Sequence, residues 1–289
     1  MTLVAVWQRF VGDQPELVVA SDSRLTGGLK FDSGPKLFLP PRNDCVLAFA
    51  GDTYLAYPLM AQIINWTNEY DQARSRAMDL AEFAGHCARL CSGILRRAVA
   101  ASKPIPSGID LGKDFTLVLA GYGWRRQRFH CWQSVTSPDG DFSWRRARAS
   151  VHSVVLVGSG RPLASREITA FKAGPRLGRG RRPPAVLDWT PLDVLVKVIR
   201  GGADPATGGP PQLVKVFSHM NVLPYAIPWS MPGGRAITVL GRELLEYERS
   251  RRLALDVDSH QVLMQWDYLD KPVPLRADTE ETRVRVDFS

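Results

Sequence analysis

The chain has 289 residues, a mass of 32.1 kDa and a formal net charge of +8, with 45% hydrophobic and 23% charged residues. This composition is typical of a globular protein with a sizeable core, and it excludes a largely disordered chain. The sequence has no apolar run of about 18 residues, so we expect no membrane-spanning helix. Its first residues lack a basic segment and a long apolar segment, which argues against a secretory signal.

The first part of the chain is predicted to form strands. Over residues 2–9, one alternating set (Leu3, Ala5 and Trp7) faces away from the other (Val4, Val6 and Gln8), as in a strand. Residues 16–22 form a second strand-like run, and the turn-forming residues 12–15 separate the two. This pattern predicts a β-hairpin that begins with the first residues of the chain. Two further apolar runs, at 36–39 and 45–50, predict two more strands.

Helices and strands then alternate in blocks. Asp52 is a plausible N-cap for a helix over 53–70, and apolar residues at helical spacing predict a second helix over 78–101. Further strands are predicted at 114–121, 127–134, 151–157 and 213–218, and, after a loop at 174–185, a helix from Thr190 to about residue 201. This order favours sheets packed between layers of helices.

The last part of the chain is predicted from weaker signals. We expect strands at 234–240, 253–257 and 261–267, with one helix at 241–251. Pro228, Trp229 and Pro232 indicate an ordered but irregular segment before them.

The cysteines and arginines point to no metal or nucleic-acid site of their own. Cys45, Cys87, Cys91 and Cys131 include no Cys-x2-Cys pair, so we interpret them as buried reduced thiols in a cytoplasmic protein. The arginines cluster in two groups, Arg145, Arg146 and Arg148, and Arg176, Arg179, Arg181 and Arg182. Solvated loops are the simpler interpretation of both groups, and nucleic-acid binding is the alternative.

Thr2 is the residue with the most distinctive chemistry. Removal of Met1 would leave a hydroxyl and a free α-amine on one residue. An α-amine has an unperturbed pKa of about 7.7–8.0, so it can accept the hydroxyl proton at neutral pH. The strand predicted directly after it would hold this terminus in place.

Several motifs follow Thr2 in order. They are Ala20-Ser21-Asp22-Ser23-Arg24, Gly34-Pro35-Lys36, Ala48-Phe49-Ala50-Gly51-Asp52, Gly158-Ser159-Gly160 and Asp204-Pro205-Ala206-Thr207-Gly208-Gly209. In type, order and approximate spacing they resemble motifs of the proteasome β-subunit superfamily of N-terminal nucleophile hydrolases, and especially its bacterial HslV and Anbu branches. The resemblance covers about residues 2–217.

The resemblance implies a fold. It predicts an α+β protein with the four-layer αββα sandwich of N-terminal nucleophile hydrolases, formed by residues 1–217. Residues 218–289 are then a C-terminal extension, packed on the core or placed in an oligomer contact.

The resemblance also implies catalytic roles. Thr2 is the nucleophile and its α-amine the general base, while Lys36 lies nearby and Asp22 orients it. The backbone N–H of Ala48, where the family usually has glycine, is the oxyanion donor. Three further residues hold the α-amine and its water: Ser159, Asp204 and Thr207, the last in place of the family's serine.

Substrate contacts are implied at Thr26, Val46 and Ala50. Thr26 would bond an extended peptide through its backbone, as in the addition of a β-strand. Val46 is small and apolar, which hints at an uncharged substrate side chain.

The function implied is hydrolysis of peptide or other amide bonds, with no metal and no cofactor. The expected partners are a peptide or protein substrate, further copies of the chain in a ring or helical assembly, and a separate AAA+ unfoldase, but no membrane. The chain has no Walker-type phosphate-binding motif of its own. A catalytically silent scaffold with the same fold is the alternative function.

Overall fold

The computed structural model describes residues 2–102, 110–174, 184–231, 234–245, 248 and 253–264. Its helices are α1 Thr53–Glu69, α2 Asp71–Arg74, α3 Leu80–Ala101, α4 Arg161–Ala173 and α5 Thr190–Gly201. Its first strands are β1 Val4–Val11, β2 Gln14–Ser21, β3 Leu37–Phe38, β4 Cys45–Gly51, β5 Phe115–Gly123, β6 Arg128–Thr136, β7 Phe142–Arg146 and β8 Val155–Val157. The remaining strands are β9 Gln212–Phe217, β10 Val222–Met231, β11 Gly234–Val239, β12 Arg242–Glu243, β13 Leu253–Leu255 and β14 Val262–Met264.

The described strands form two sheets. The larger sheet has nine strands, in the order β12-β11-β10-β9-β2-β1-β8, with β13 and β14 attached at β10. The smaller sheet has the five strands β3-β4-β5-β6-β7. Neighbouring strands are antiparallel except for β10 and β13, which are parallel. The chain therefore has a mixed fold of helices and mainly antiparallel sheets.

Three apolar clusters explain how these elements pack. One cluster takes side chains from both sheets, among them Val4 and Val19 of the larger sheet and Val46 and Val118 of the smaller. A second joins the smaller sheet to α1 and α3, and a third joins the larger sheet to α4 and α5. Each strand can serve two clusters because its successive side chains point to opposite faces.

Most of the strongly patterned elements are confirmed. β1 and β2 form the expected hairpin, with Gly12 in the left-handed region of its turn. Asp52 caps α1 by accepting a hydrogen bond of 2.6 Å from the Tyr54 N–H. Its side chain therefore satisfies one of the N–H groups that have no partner at the start of a helix.

Two predictions in the second half of the chain are wrong. The expected helix at 241–251 is not found in the residues described there, since Arg242–Glu243 is a strand paired with β11. The segment around Pro228 and Trp229 is not irregular but lies within β10. In both places, pairing with a neighbouring strand outweighs the local sequence signal.

Two other differences from the sequence prediction concern the length of one strand and the presence of an additional strand. The strand predicted at 151–157 is confined to Val155–Val157, and β7 was not predicted. β10 continues the larger sheet beyond residue 217 by pairing with β9. A division into a core at 1–217 and an extension at 218–289 stays a prediction.

Within the described ranges, no helix is both long enough and apolar enough to cross a membrane.

Candidate active site

Thr2 lies just before β1, the second strand from the β8 edge of the larger sheet. Its residue exposure is 1%, and β1, which follows it, pairs with β2 on one side and β8 on the other. Gly160 donates a backbone hydrogen bond of 3.3 Å to the Thr2 carbonyl. A Cβ atom on Gly158 would lie 1.8 Å from that same oxygen, so glycine is required at this contact. The backbone of Thr2 is therefore fixed from the β8 side.

Asp22 and Lys36 form a buried ion pair beside this entry. The Lys36 Nζ donates to Asp22 Oδ1 over 2.8 Å, and both side chains are 0% exposed. The N–H of Leu3, the residue after Thr2, donates to the same carboxylate oxygen over 3.0 Å. One atom of Asp22 therefore connects the backbone next to Thr2 with the Lys36 ammonium.

Burial shifts both groups of this pair toward their neutral forms. Burial raises the pKa of the Asp22 carboxyl, although Lys36 and the N–H groups of Leu3 and Gly208 oppose the shift. Burial also lowers the pKa of the Lys36 ammonium, against the attraction of Asp22. A lysine shifted in this direction can exchange a proton at a lower pH than an exposed lysine.

The second oxygen of Asp22 connects two loops to the pair. Asp22 Oδ2 accepts a bond of 2.9 Å from the Gly208 N–H and one of 3.2 Å from the Arg24 N–H. Arg24 in turn pairs with Asp32 and donates to the Pro205 carbonyl. Asp22 thereby fixes the loop that carries Asp204 and Thr207 against the end of β2.

Ser159, Asp204 and Thr207 form a second polar cluster. The Ser159 and Thr207 hydroxyls donate to the same oxygen, Asp204 Oδ2, over 2.6 and 2.7 Å. Burial alone would raise the pKa of Asp204, but these two bonds and one from the Ala206 N–H lower it below its usual value. An ionised Asp204 at the β8 side of Thr2 is suited to hold a cationic amine.

Gln212 belongs to this site and was missed by the sequence analysis. It is 0% exposed, and its amide oxygen accepts bonds from the backbone N–H groups of Lys36 and Leu37, at 3.0 and 3.2 Å. Its amide nitrogen donates to the carbonyls of Gly34 and Asp22. It therefore fixes the position from which the Lys36 side chain extends. Its only signal in the sequence is an amide at the start of an apolar strand.

Ala48 lies in a strand, as expected, but its backbone N–H is directed toward a neighbouring strand. Its residue exposure is 0% on β4, where it lies opposite Leu37 on β3 and Val118 on β5. Just beyond each end of β4, an even-numbered residue bonds toward β5. The Asp52 N–H donates to the Asp114 carbonyl, and the Asp44 carbonyl accepts from the Tyr122 N–H. The pairing of β4 with β5 keeps one register from residue 45 to residue 51, and in an antiparallel pair every second residue forms hydrogen bonds to the same neighbouring strand. The N–H of Ala48, which is also even-numbered, is therefore directed toward Val118 on β5. Its role as oxyanion donor stays a prediction.

The three predicted substrate residues lie in different surroundings. Val46 and Ala50 are buried, and their side chains belong to the cluster between the two sheets. Thr26 is exposed in the loop that the Leu25–Phe31 bridge closes. Their contacts with a substrate stay predictions.

The cysteines and arginines complete the predicted set. All four cysteines are buried and free, and burial raises the pKa of each thiol. Among the described residues, no group of three or more His, Cys, Asp or Glu side chains converges as in a metal site. Arg145, Arg146 and Arg148 are exposed. The second arginine group, at 176–182, lies outside the described residues.

Comparisons with known proteins give a distant structural similarity. No family model matches the sequence, and no curated protein matches it. Among solved structures, the chain is similar to the Anbu (Gly-1) mutant from Hyphomicrobium sp. strain MC1. The match has a TM-score of 0.49 and 17% sequence identity, and it covers 77% of this chain and 84% of that one.

Proposed function

We propose that this chain is a threonine-type N-terminal nucleophile hydrolase that cleaves peptide or other amide bonds after removal of Met1. The observation that carries the proposal is the double role of Asp22 Oδ1, which accepts from the Leu3 N–H and from Lys36 Nζ. It connects a buried lysine with a lowered pKa to the backbone beside a hydroxyl residue. This connection supports a lysine-assisted threonine nucleophile, because it holds the lysine beside the start of the strand that follows the hydroxyl residue.

The reaction follows from these groups. The α-amine of Thr2 takes the hydroxyl proton, and Thr2 Oγ bonds to the amide carbon. The C–N bond then breaks, and the proton passes to the leaving amine. Water hydrolyses the resulting ester, which releases the acid and restores the hydroxyl. Lys36 stabilises the negative charge that develops on Oγ, and ionised Asp204 holds the protonated amine.

The same proposal includes the finer fold. The three apolar clusters support a four-layer αββα sandwich, since one lies between the sheets and each of the others joins one sheet to helices. In this arrangement, the described strands after residue 217 extend the larger sheet from its β9 edge, beginning with β10.

Assembly is the third part of the proposal. Leu29, Phe31 and Tyr54 are exposed apolar side chains on the loop before β3 and at the start of α1. Burying them against further copies of the chain, in a ring or helical assembly, would remove apolar surface from water. A cytoplasmic location and a separate AAA+ unfoldase that delivers protein substrates complete this hypothesis.

A catalytically silent scaffold is the second candidate function. Two observations favour it: Thr2 is only 1% exposed, and the Ala48 N–H is directed toward β5. In a scaffold, Asp22 and Lys36 would serve only to fix the start of β1. The two candidates differ in whether Thr2 reacts.

The deciding experiment is the intact mass of the purified chain before and after incubation with a peptide epoxyketone. This reagent closes a ring only with a hydroxyl and a free α-amine on the same residue. The hydrolase predicts loss of Met1 and a one-to-one adduct, which Thr2→Ser retains and Thr2→Ala abolishes. Retained Met1, or an adduct that persists in Thr2→Ala, would contradict it.

A further inference from the structure

A polar cavity of about 310 Å³ reaches Gly158, the residue that contacts the Thr2 carbonyl from the β8 side. It opens where β8 of the larger sheet faces β5, β6 and β7 of the smaller sheet. Its lining includes Thr116, Gln133, Ser134, Arg145, Gly158 and Arg161. This volume is at the small end of the range for ligand pockets, which is about 300–1,000 Å³.

The only charged residues in this lining are two arginines. Among the described residues, neither Arg145 nor Arg161 has a carboxylate within ion-pair distance, and the lining contains no Asp or Glu. Asp110, which is two residues before the lining residue Gly112, is paired with Lys113 over 2.8 Å. By contrast, Arg9, Arg24 and Arg42 are each paired with a carboxylate. Within the part of the chain that the structure describes, the positive charge of this cavity is therefore not neutralised by a carboxylate.

The cavity and the Asp22–Lys36 pair lie on opposite sides of Thr2. Gly158, which lines the cavity, is the residue whose Cβ would meet the Thr2 carbonyl at 1.8 Å. β2, which ends beside Asp22, pairs with the other edge of β1. A peptide that follows Thr26 to Thr2 would approach from the β2 side. The portion released as the amine would then lie on the β8 side, where the cavity is.

We propose that this cavity binds a carboxylate on the leaving-group side of the scissile amide, so that the enzyme prefers substrates whose released amine carries an acid. The inference rests on the proposed function. Arg145 and Arg161 bind the carboxylate oxygens, because a guanidinium offers paired N–H donors to a carboxylate. Thr116, Gln133 and Ser134 supply neutral polar contacts around it. The carboxylate is either the free C-terminus of a short peptide or an acidic side chain close after the cleaved bond.

The test measures binding without catalysis. In Thr2→Ala protein, the affinities of acetyl-Ala-Ala-Ala-Ala as the free acid and as its carboxamide are compared by isothermal titration. We expect the acid to bind about tenfold more tightly, the preference that a charge-assisted contact confers. The peptide acetyl-Ala-Ala-Ala-Asp-amide then distinguishes a side-chain carboxylate from a terminal one.

The control variant changes Arg146, the neighbour of Arg145 on β7. Arg145→Gln with Arg161→Gln should abolish the preference for the acid. Arg146→Gln should retain it, since Arg146 is on the opposite face of β7. Equal binding of acid and amide, or a preference that survives the double variant, would overturn the inference. An inactive Thr2 leaves this binding measurement unaffected, so failure of the proposed function is detected separately, by the missing epoxyketone adduct.

Discussion

Two ion pairs in this protein are equally buried but differently connected. The side chains of Asp22, Lys36, Arg42 and Asp44 are all 0% exposed. Arg42 and Asp44 are two residues apart and bond through two guanidinium nitrogens, and Arg42 also donates to the Met78 carbonyl. Asp22 instead accepts bonds from Leu3, Arg24 and Gly208, which lie in three different segments.

The pKa values of the two cations also shift in opposite directions. The Arg42 guanidinium lies 4.2 Å from the centre of the Phe83 ring. Burial alone would lower its pKa, but the bonds to Asp44 raise it, so this cation keeps its proton. Burial lowers the pKa of Lys36 despite its partner. Burial and pairing therefore do not mark a reactive site by themselves. What distinguishes the Asp22–Lys36 pair is its hydrogen-bonded connection, through the Leu3 N–H, to the backbone beside Thr2.

The largest expected effect is the loss of reactivity in Lys36→Met. Epoxyketone adduct formation should slow by about 10²–10³-fold, since the loss of one group that stabilises a developing negative charge typically costs about that factor. The lone Asp22 left behind should also lower the free energy of unfolding by about 3–5 kcal/mol. Adduct kinetics by mass spectrometry and urea unfolding measure the two effects.

A double variant separates these two effects. Asp22→Leu with Lys36→Met removes the isolated charge and should recover part of the stability but none of the reactivity. Full reactivity in either variant would remove Lys36 from the mechanism.

The matching change in the other pair is Arg42→Met. We expect a loss of about 3–5 kcal/mol in the free energy of unfolding, because Asp44 remains buried without a counter-ion. Arg42→Met with Asp44→Leu should restore most of it. Adduct formation per folded molecule should be unchanged in both variants. If it fell as far as in Lys36→Met, the two ion pairs would not differ in function.

A smaller effect is expected from pH. Burial, together with Arg128 and Arg146, lowers the pKa of His130 to about 4. The unfolded chain binds this proton at a higher pH than the folded chain does. The stability due to neutral His130 is therefore complete above about pH 6.5 and is lost as pH falls toward 4. Urea unfolding should show a loss of about 1–3 kcal/mol over this window.

His130→Gln should make this pH dependence shallower. The exposed His152→Gln is the matched control and should leave the dependence unchanged. A wild-type stability that is constant from pH 6.5 to 4 would rule out this contribution.

The smallest effect is expected at Thr207. Thr207→Val keeps the shape but removes the bond to Asp204, so the free energy of unfolding should fall by about 1 kcal/mol. Adduct formation should slow only a few-fold, since Ser159 still bonds Asp204. Thr136→Val is the control, because the buried Thr136 hydroxyl has no hydrogen-bond partner in the described structure. A larger loss in Thr136→Val than in Thr207→Val would contradict this reasoning.

The sequence was a good guide where structure depends on near neighbours. The β1–β2 hairpin and α1 and α3 follow from periodic apolar residues and local caps. β10 was missed because Pro228 and Pro232 indicate interruption, whereas pairing with β9 and β11 decides its conformation. These strands lie close together only after the sheet has formed.

The candidate site divides in the same way. Asp22, Lys36 and Ser159 are visible as members of short motifs. Gln212 is not, because its amide bonds residues 175 to 190 positions away along the chain. The direction of the Ala48 N–H likewise depends on the register between β4 and β5, which the residue type does not reveal.

The position of β1 has a consequence for the order of events during biosynthesis. β1 pairs on both sides, and Thr2 is buried at its start. Because Thr2 is 1% exposed, a processing enzyme would reach the bond before it most readily in a chain that has not yet folded. Under the proposed function, removal of Met1 would then compete with folding in time, and the fraction of reactive molecules would be set while the chain is still emerging from the ribosome.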